Sequence, residues 1–331
     1  MRKTPLVLAA ALTVVASGCY RDFDFGVDSK ADYAVVDASN GSWTDLGTGT
    51  AMASGTADDW PVPGDWNNDH FWDKAVVRRS TGQWITGTPE VGTVTFAQPP
   101  ALPQYSSHFS LTNLPVAADY DGDGFMDPAW YRESDGKWFI EGGDPNGVTF
   151  GTGPTALPDA PTGTDITRND YDFPVPADYD GDGKDDLSTF NPWTGKWRVR
   201  KSSTGLEAPA QYFTGNQLLA MAVPGDYDGV GHAQRAVYGP NGWFIEGHTD
   251  PDTFGSLAEG ETGIPAPADF LGTGKVTPAF VGYNANIWQT KGSATTVQVN
   301  GDQWPVPAGF NLRHNMGRLR SLGDCFDFGT C

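Results

Sequence analysis

The chain has 331 residues and a formal charge of −20, from 41 acidic against 21 basic side chains. Such a polyanion disfavours nucleic acid and anionic membrane surfaces as partners. No basic patch or aromatic–basic RNA motif offsets that charge.

The N-terminus reads as an address label. Arg2 and Lys3 precede an apolar run from Leu6 to Val15, which ends in Ala16-Ser17-Gly18-Cys19. Residues 1–19 have the form of a secretory signal, too short to remain as a membrane span. Small residues before a cysteine resemble a lipobox, in which Cys19 becomes the lipidated first residue of the mature chain. Ala16 stands where such boxes usually carry Leu, so plain secretion is the alternative. Lipidation of Cys19 would leave Cys325 and Cys331 as a disulfide pair in an oxidising compartment. A bridge from Cys19 to one of them is the other pairing. Residues 20–331 read as one domain.

Acidic loops follow in chain order. A first copy places Asp24, Gly26, Asp28 and Asp32 at positions 1, 3, 5 and 9. The second has Asp65, Asn67, Asp69 and Asp73; the third Asp119, Asp121, Asp123 and Asp127; the fourth Asp178, Asp180, Asp182 and Asp186. Oxygen side chains at that spacing can converge on one hard cation, and Ca²⁺ takes six to eight oxygens at roughly 2.3–2.6 Å. An EF-hand would need Glu at position 12, where Val76, Trp130 and Thr189 stand instead. The flanks are not helical either. Pro61-Val62-Pro63 and Pro174-Val175-Pro176 lead in, and Ala75-Val76-Val77 and Leu187-Ser188-Thr189-Phe190 lead out, which predicts strand–loop–strand.

The repeat is longer than its loop. Eleven residues past position 9 comes a tryptophan after a turn: Trp43, Trp84, Trp138, Trp197 and Trp288, with Trp243 two residues early. That ruler finds degenerate loops from Asp226 and Asp269, where Val230, Leu271, Thr273 and Thr277 replace charged ligands. A last fragment, Pro305-Val306-Pro307-Ala308-Gly309, puts Gly309 where the first Asp should stand, and Arg313 at its position 5 argues against metal. Loops therefore begin near 24, 65, 119, 178, 226, 269 and 309. Repeats of about 40–50 residues with several short strands each are what β-propeller blades show. The expected fold is all-β: six four-stranded blades and a closing tail, or seven blades if the last fragment counts. The longest insertion, from Gly142 to Asp172, reads as a surface loop.

These strings resemble those of FG-GAP/VCBS-type repeat proteins. Asp-Tyr-Asp-Gly-Asp-Gly-Lys from Asp178 to Lys184, followed by Thr194-Gly195-Lys196-Trp197, carries the likeness, which extends over nearly all of the mature chain. The resemblance implies a calcium-stabilised propeller with loops like those of integrin α-chains, and it does not imply catalysis. Ca²⁺ is the one expected cofactor. The Asp65, Asp119 and Asp178 loops are expected to hold it, the Asp24 loop more weakly, and the loops at Asp226, Asp269 and Gly309 not at all.

Catalytic signatures are missing from the sequence: no Gly-x-Ser-x-Gly, no His-Glu-x-x-His, no phosphate loop, and no ligand spacing among the five histidines. Glu141 and Glu246 hold equivalent blade positions and could pair as acid and base across a ring, though repeat symmetry explains their likeness more simply. One tryptophan per blade could stack on sugars. In fixed register it is better read as core between neighbouring sheets. The leading functional reading is an exported, monomeric, non-catalytic surface interaction or adhesion module with an extracellular protein or glycan as its partner. A glycan-binding lectin is the alternative, and a carbohydrate-active propeller such as a polysaccharide lyase or hydrolase comes third.

A Cys19→Ala change, or globomycin, is expected to alter processing and release the protein from membranes. Unchanged membrane fractionation would mark ordinary secretion.

Overall fold

The computed structural model describes residues 23–306, apart from 38, 54, 101–112, 154–171, 214–219, 257–262, 283–285 and 301–302. The signal, Cys19, Cys325, Cys331, Gly309 and Arg313 lie outside the described residues, as does most of the insertion before Asp172.

Strands of two to five residues cannot stand alone, and here they pair into six antiparallel sheets. The third repeat shows the pattern: Asn113–Pro115 leads into the Asp loop, Ala129–Arg132 follows it, Lys137–Ile140 carries Trp138, and Val148–Thr149 closes the sheet. Proline sits at the end of the leading strand, where the missing N–H leaves no ladder bond unmade. Four other sheets have the same four strands. The fifth blade has three, Met221–Ala222, Ala236–Gly239 and Gly242–Ile245, with a single bridge from Trp243 to Asp252 in the fourth place. Among the described residues there is no helix.

Ring closure settles the blade count at six. The strand Gln303–Pro305 does not open a seventh blade. It pairs antiparallel with Ala34–Asp37, in the register Val35 with Pro305 and Val36 with Trp304. Among the described residues no strand precedes the first acidic loop, and without a partner Ala34–Asp37 would be an open edge. The last fragment supplies that strand, so the two ends of the chain complete one blade.

The blade tryptophans fill the sheets. Trp43, Trp84, Trp138, Trp197, Trp243 and Trp288 are each at most 1 % exposed. Several indoles lie edge-on to an aromatic ring, as Trp84 does to Trp130 at 5.2 Å and Trp138 to Tyr131 at 5.1 Å. Three of their N–H groups are met by the fourth-strand side of the blade: Trp84 donates to the Phe96 carbonyl, Trp138 to that of Phe150 and Trp243 to that of Phe254, whereas Trp197 donates to the Ser188 hydroxyl. Truncating a buried side chain of this size costs about 3–5 kcal/mol. These six residues are core, and none of them is available to stack on a sugar.

Candidate metal centres at the hub

In five of the six repeats the acidic loop joins the first and second strands of its blade, and a bridge pins its base. The residue before position 1 pairs with position 9: Gly64 with Asp73, Ala118 with Asp127, Ala177 with Asp186, Gly225 with Gln234 and Ala268 with Thr277. Positions 4 and 6 take left-handed backbone. Glycine serves at both in the Asp119 and Asp178 loops, with φ between 75° and 90°. Asn68 and His70, and Val27 and Ser29, adopt the same conformation in the two earlier loops, with the strain a Cβ brings.

The side chain at position 2 turns inward. Phe25, Trp66, Tyr120, Tyr179 and Phe270 lie 5.6–6.4 Å from the tryptophan of their own blade. Trp66, Tyr120, Tyr179 and Tyr227 also donate a hydrogen bond to the carbonyl oxygen four residues earlier, at 2.6–3.0 Å. This aromatic anchors the loop to the core. The search for oxygen ligands passed over it, although an aromatic at position 2 of all six copies was open to view.

Consecutive loops are bonded to one another around the whole circle. The N–H at position 8 of each loop donates to the position-1 carbonyl of the blade before it. Trp72 donates to Asp24 at 3.3 Å, Met126 to Asp65 at 3.1 Å, and Asp185 to Asp119 at 2.7 Å. Ala233 donates to Asp178 at 2.7 Å, Val276 to Asp226 at 2.8 Å, and Ala31 to Asp269 at 2.9 Å, which closes the circle. Six loops so joined form a closed belt that runs through all six blades.

Within each loop the position-1 carboxylate caps the turn. Asp119 accepts from the N–H groups of Gly122 and Gly124 at 2.6 and 2.9 Å, and Asp178 does the same with Gly181 and Gly183. Asp24, Asp65, Asp226 and Asp269 each accept two such N–H groups as well. At position 9, Asp32, Asp73, Asp127 and Asp186 accept the N–H of position 2 at 2.8–3.0 Å.

Two loops go further. Carboxylate oxygens of Asp119, Asp121 and Asp127 lie within 4.8 Å of one another, and so do those of Asp178, Asp180 and Asp186. Asp180 Oδ1 is buried and has no hydrogen-bond partner. An orphaned acceptor beside two more carboxylates fits a hard, oxygen-seeking cation such as Ca²⁺. Position 5 stands apart from these trios: Asp123 and Asp182 accept the N–H two residues on, and Asp182 also accepts the Ser202 hydroxyl. In the Asp65 loop Asn67 stands at position 3, so an amide takes the place of the second carboxylate of the trio. There Asn67 donates to Asp69, and each also accepts or donates within the turn. The Asp24 loop has Gly26 in place of a third-position ligand.

The degenerate Asp226 loop meets its charge from within. Gln234 at position 9 donates to Asp228 at 2.8 Å and accepts the Asp228 N–H at 3.0 Å, while His248 contacts the other Asp228 oxygen at 3.1 Å. Asp228 is thereby held below the ordinary carboxylate range, chiefly through His248. Glu246 is likewise engaged. Burial raises it, but the hydrogen bonds and charge of Arg235 outweigh that and hold it low. Glu141 and Glu246 sit on different blades, and Glu246 is tied to an arginine of its own.

No family model matches the chain, and no curated protein matches it. Among solved structures it is similar to a lectin from Agrocybe aegerita, described as recognising non-reducing terminal N-acetylglucosamine. The TM-score is 0.46 at 15% identity, over 86% of this chain and 79% of the other. The six-bladed propeller rests on the chain's own sheets and their closure, and the FG-GAP/VCBS resemblance remains one of motif.

Burial of position 9 sets a pH dependence. Asp32, Asp73 and Asp127 are pushed from the ordinary 3.8 to about 6, in each case first by burial. A folded-state value above the unfolded one gives stability that is complete below about 3.8 and is lost as pH rises through about 6. Calcium-free protein is therefore expected to melt higher at pH 5 than at pH 7.5. Added Ca²⁺ should raise the melting temperature more at pH 7.5, because protons compete for the same oxygens. Asp180→Ala should remove part of that calcium increment, and Asp228→Ala should leave it intact. An increment equal at both pH values, or lost equally in both variants, would contradict this assignment.

Proposed function

We propose that the chain is an exported, calcium-stabilised six-bladed propeller that acts as a non-catalytic interaction module at the cell surface. The observation that carries this reading is the pair of carboxylate trios in the hub belt. Asp119, Asp121 and Asp127 would hold one cation, and Asp178, Asp180 and Asp186 a second. Bound Ca²⁺ would supply positive charge to carboxylates that burial and mutual repulsion otherwise disfavour. The signal-like N-terminus supports delivery to a compartment where calcium is plentiful, and extracellular calcium modules bind in the range of about 10⁻⁴–10⁻³ M. Such affinity suits a constant structural ion.

The convergent carboxylates are committed to shaping their loops, and the blade tryptophans to the core. Glu246, one half of the acid–base pair considered from sequence, is neutralised by Arg235. These commitments support a scaffold that presents its surface to a partner, an extracellular protein in the first instance. The reading is tested on a glycan array probed with the protein in calcium and in EGTA, alongside incubation with acidic and neutral polysaccharides. The expected result is no calcium-dependent glycan signal and no new reducing or unsaturated ends. A defined glycan lost in EGTA would replace the reading with a lectin, and turnover would replace it with an enzyme.

A further inference from the structure

We propose that Asp185 is a positioning residue that couples the two cation sites, so that filling either one raises the affinity of the other. This rests on reading the Asp119 and Asp178 loops as cation sites.

The junction between these loops differs from the other five. The Asp185 N–H donates to the Asp119 carbonyl at 2.7 Å, as position 8 does everywhere in the belt. Its side chain then returns the bond, with Oδ2 accepting the Asp119 N–H at 2.8 Å. Both backbone polar groups of Asp119 are thus held by one residue of the next blade. Position 8 elsewhere is Ala31, Trp72, Met126, Ala233 or Val276, and none of these offers a carboxylate. Lys184 adds a third link, from its ammonium to the Asp121 carbonyl oxygen. A Cβ on Gly122 would come within 2.8–2.9 Å of the Lys184 side chain, so the two loops are in close contact there.

This reinforced junction is the one that has a carboxylate trio on each side. Asp119 is the first member of one trio. Asp185 is bonded covalently to Asp186, a member of the other. A cation in the Asp178 loop would fix the peptide between Asp185 and Asp186, and the two-point clamp passes that order to Asp119. The second cation then meets a loop already held in place, and loses less conformational entropy on binding. Coupling of this kind is reciprocal by thermodynamic necessity.

Calorimetric Ca²⁺ titration of the full mature chain tests the proposal. Asp180→Ala disables the Asp178 loop and should weaken the Asp119 site about fivefold or more, the low end of coupling between linked sites. Asp121→Ala should weaken the Asp178 site by the same factor. In an Asp185→Met background, which places the neighbouring blade's own residue at position 8, each site should bind without regard to the other. Asp185→Asn keeps an acceptor oxygen for the Asp119 N–H and should retain the coupling, which separates a hydrogen-bonded clamp from a simple effect of charge. Site affinities that are independent in the unaltered chain would overturn the proposal. So would coupling that survives Asp185→Met, or that disappears equally in Asp185→Asn. A wild-type chain that takes up no Ca²⁺ would instead overturn the cation reading of the loops, and the coupling with it.

Discussion

The closed belt of backbone hydrogen bonds is the constraint on which the rest of this propeller depends. Six position-8 amides must meet six position-1 carbonyls at the same time, or the circle does not close. Each bond is worth only about 1 kcal/mol net. Their geometric demand is the larger matter, because every loop must place two backbone groups at fixed points. Spacing along the chain obeys that demand. Successive loops begin 41 to 59 residues apart, yet each of the five bridged loops keeps eight residues between its bridged ends. From position 1 to the blade tryptophan the distance is again fixed, apart from Trp243. Insertions accumulate beyond the tryptophan, outside the belt.

The same constraint separates two kinds of acidic residue that look alike in sequence. Asp at position 1 occurs in all six loops, including those from Asp226 and Asp269, because its carboxylate caps the turn that presents the position-1 carbonyl to the next blade. Position 3 and position 9 supply the other two carboxylates of each trio. Where Gln234 stands at position 9, an amide and the imidazole of His248 hold Asp228 instead. The Asp226 blade therefore meets Asp228 with an amide and an imidazole, while the Asp119 and Asp178 loops bring three carboxylates together, and in the latter the Ser203 hydroxyl donates to Asp180 and the Ser202 N–H to Asp186.

Much of the architecture was legible because it repeats. Strand–loop–strand flanks, the tryptophan ruler and the count of complete units led directly to six sheets. The last fragment was legible as an entry strand, which left a closing tail or a seventh blade open, and its pairing with Ala34–Asp37 decides for six. The belt itself was not legible. It is made by backbone amides, and Ala31, Trp72, Met126, Asp185, Ala233 and Val276 share no side-chain property that a pattern could expose. The separation of position 5 from the trios also escaped the ligand spacing, since Asp123 and Asp182 spend an oxygen on the N–H two residues on. His248 lies 20 residues from Asp228, in the turn after the tryptophan strand Gly242–Ile245, so only the folded blade brings them together.

Hydrogen exchange under native conditions tests the central claim most directly. If the belt closes the propeller as one cooperative unit, the amides of Ala31, Trp72, Met126, Asp185, Ala233 and Val276 exchange only through global unfolding. All six would then show a common protection, equal to that of the most protected strand amides. Contradiction would come from amides of the belt that exchange singly, through local opening, while the strands around them remain protected.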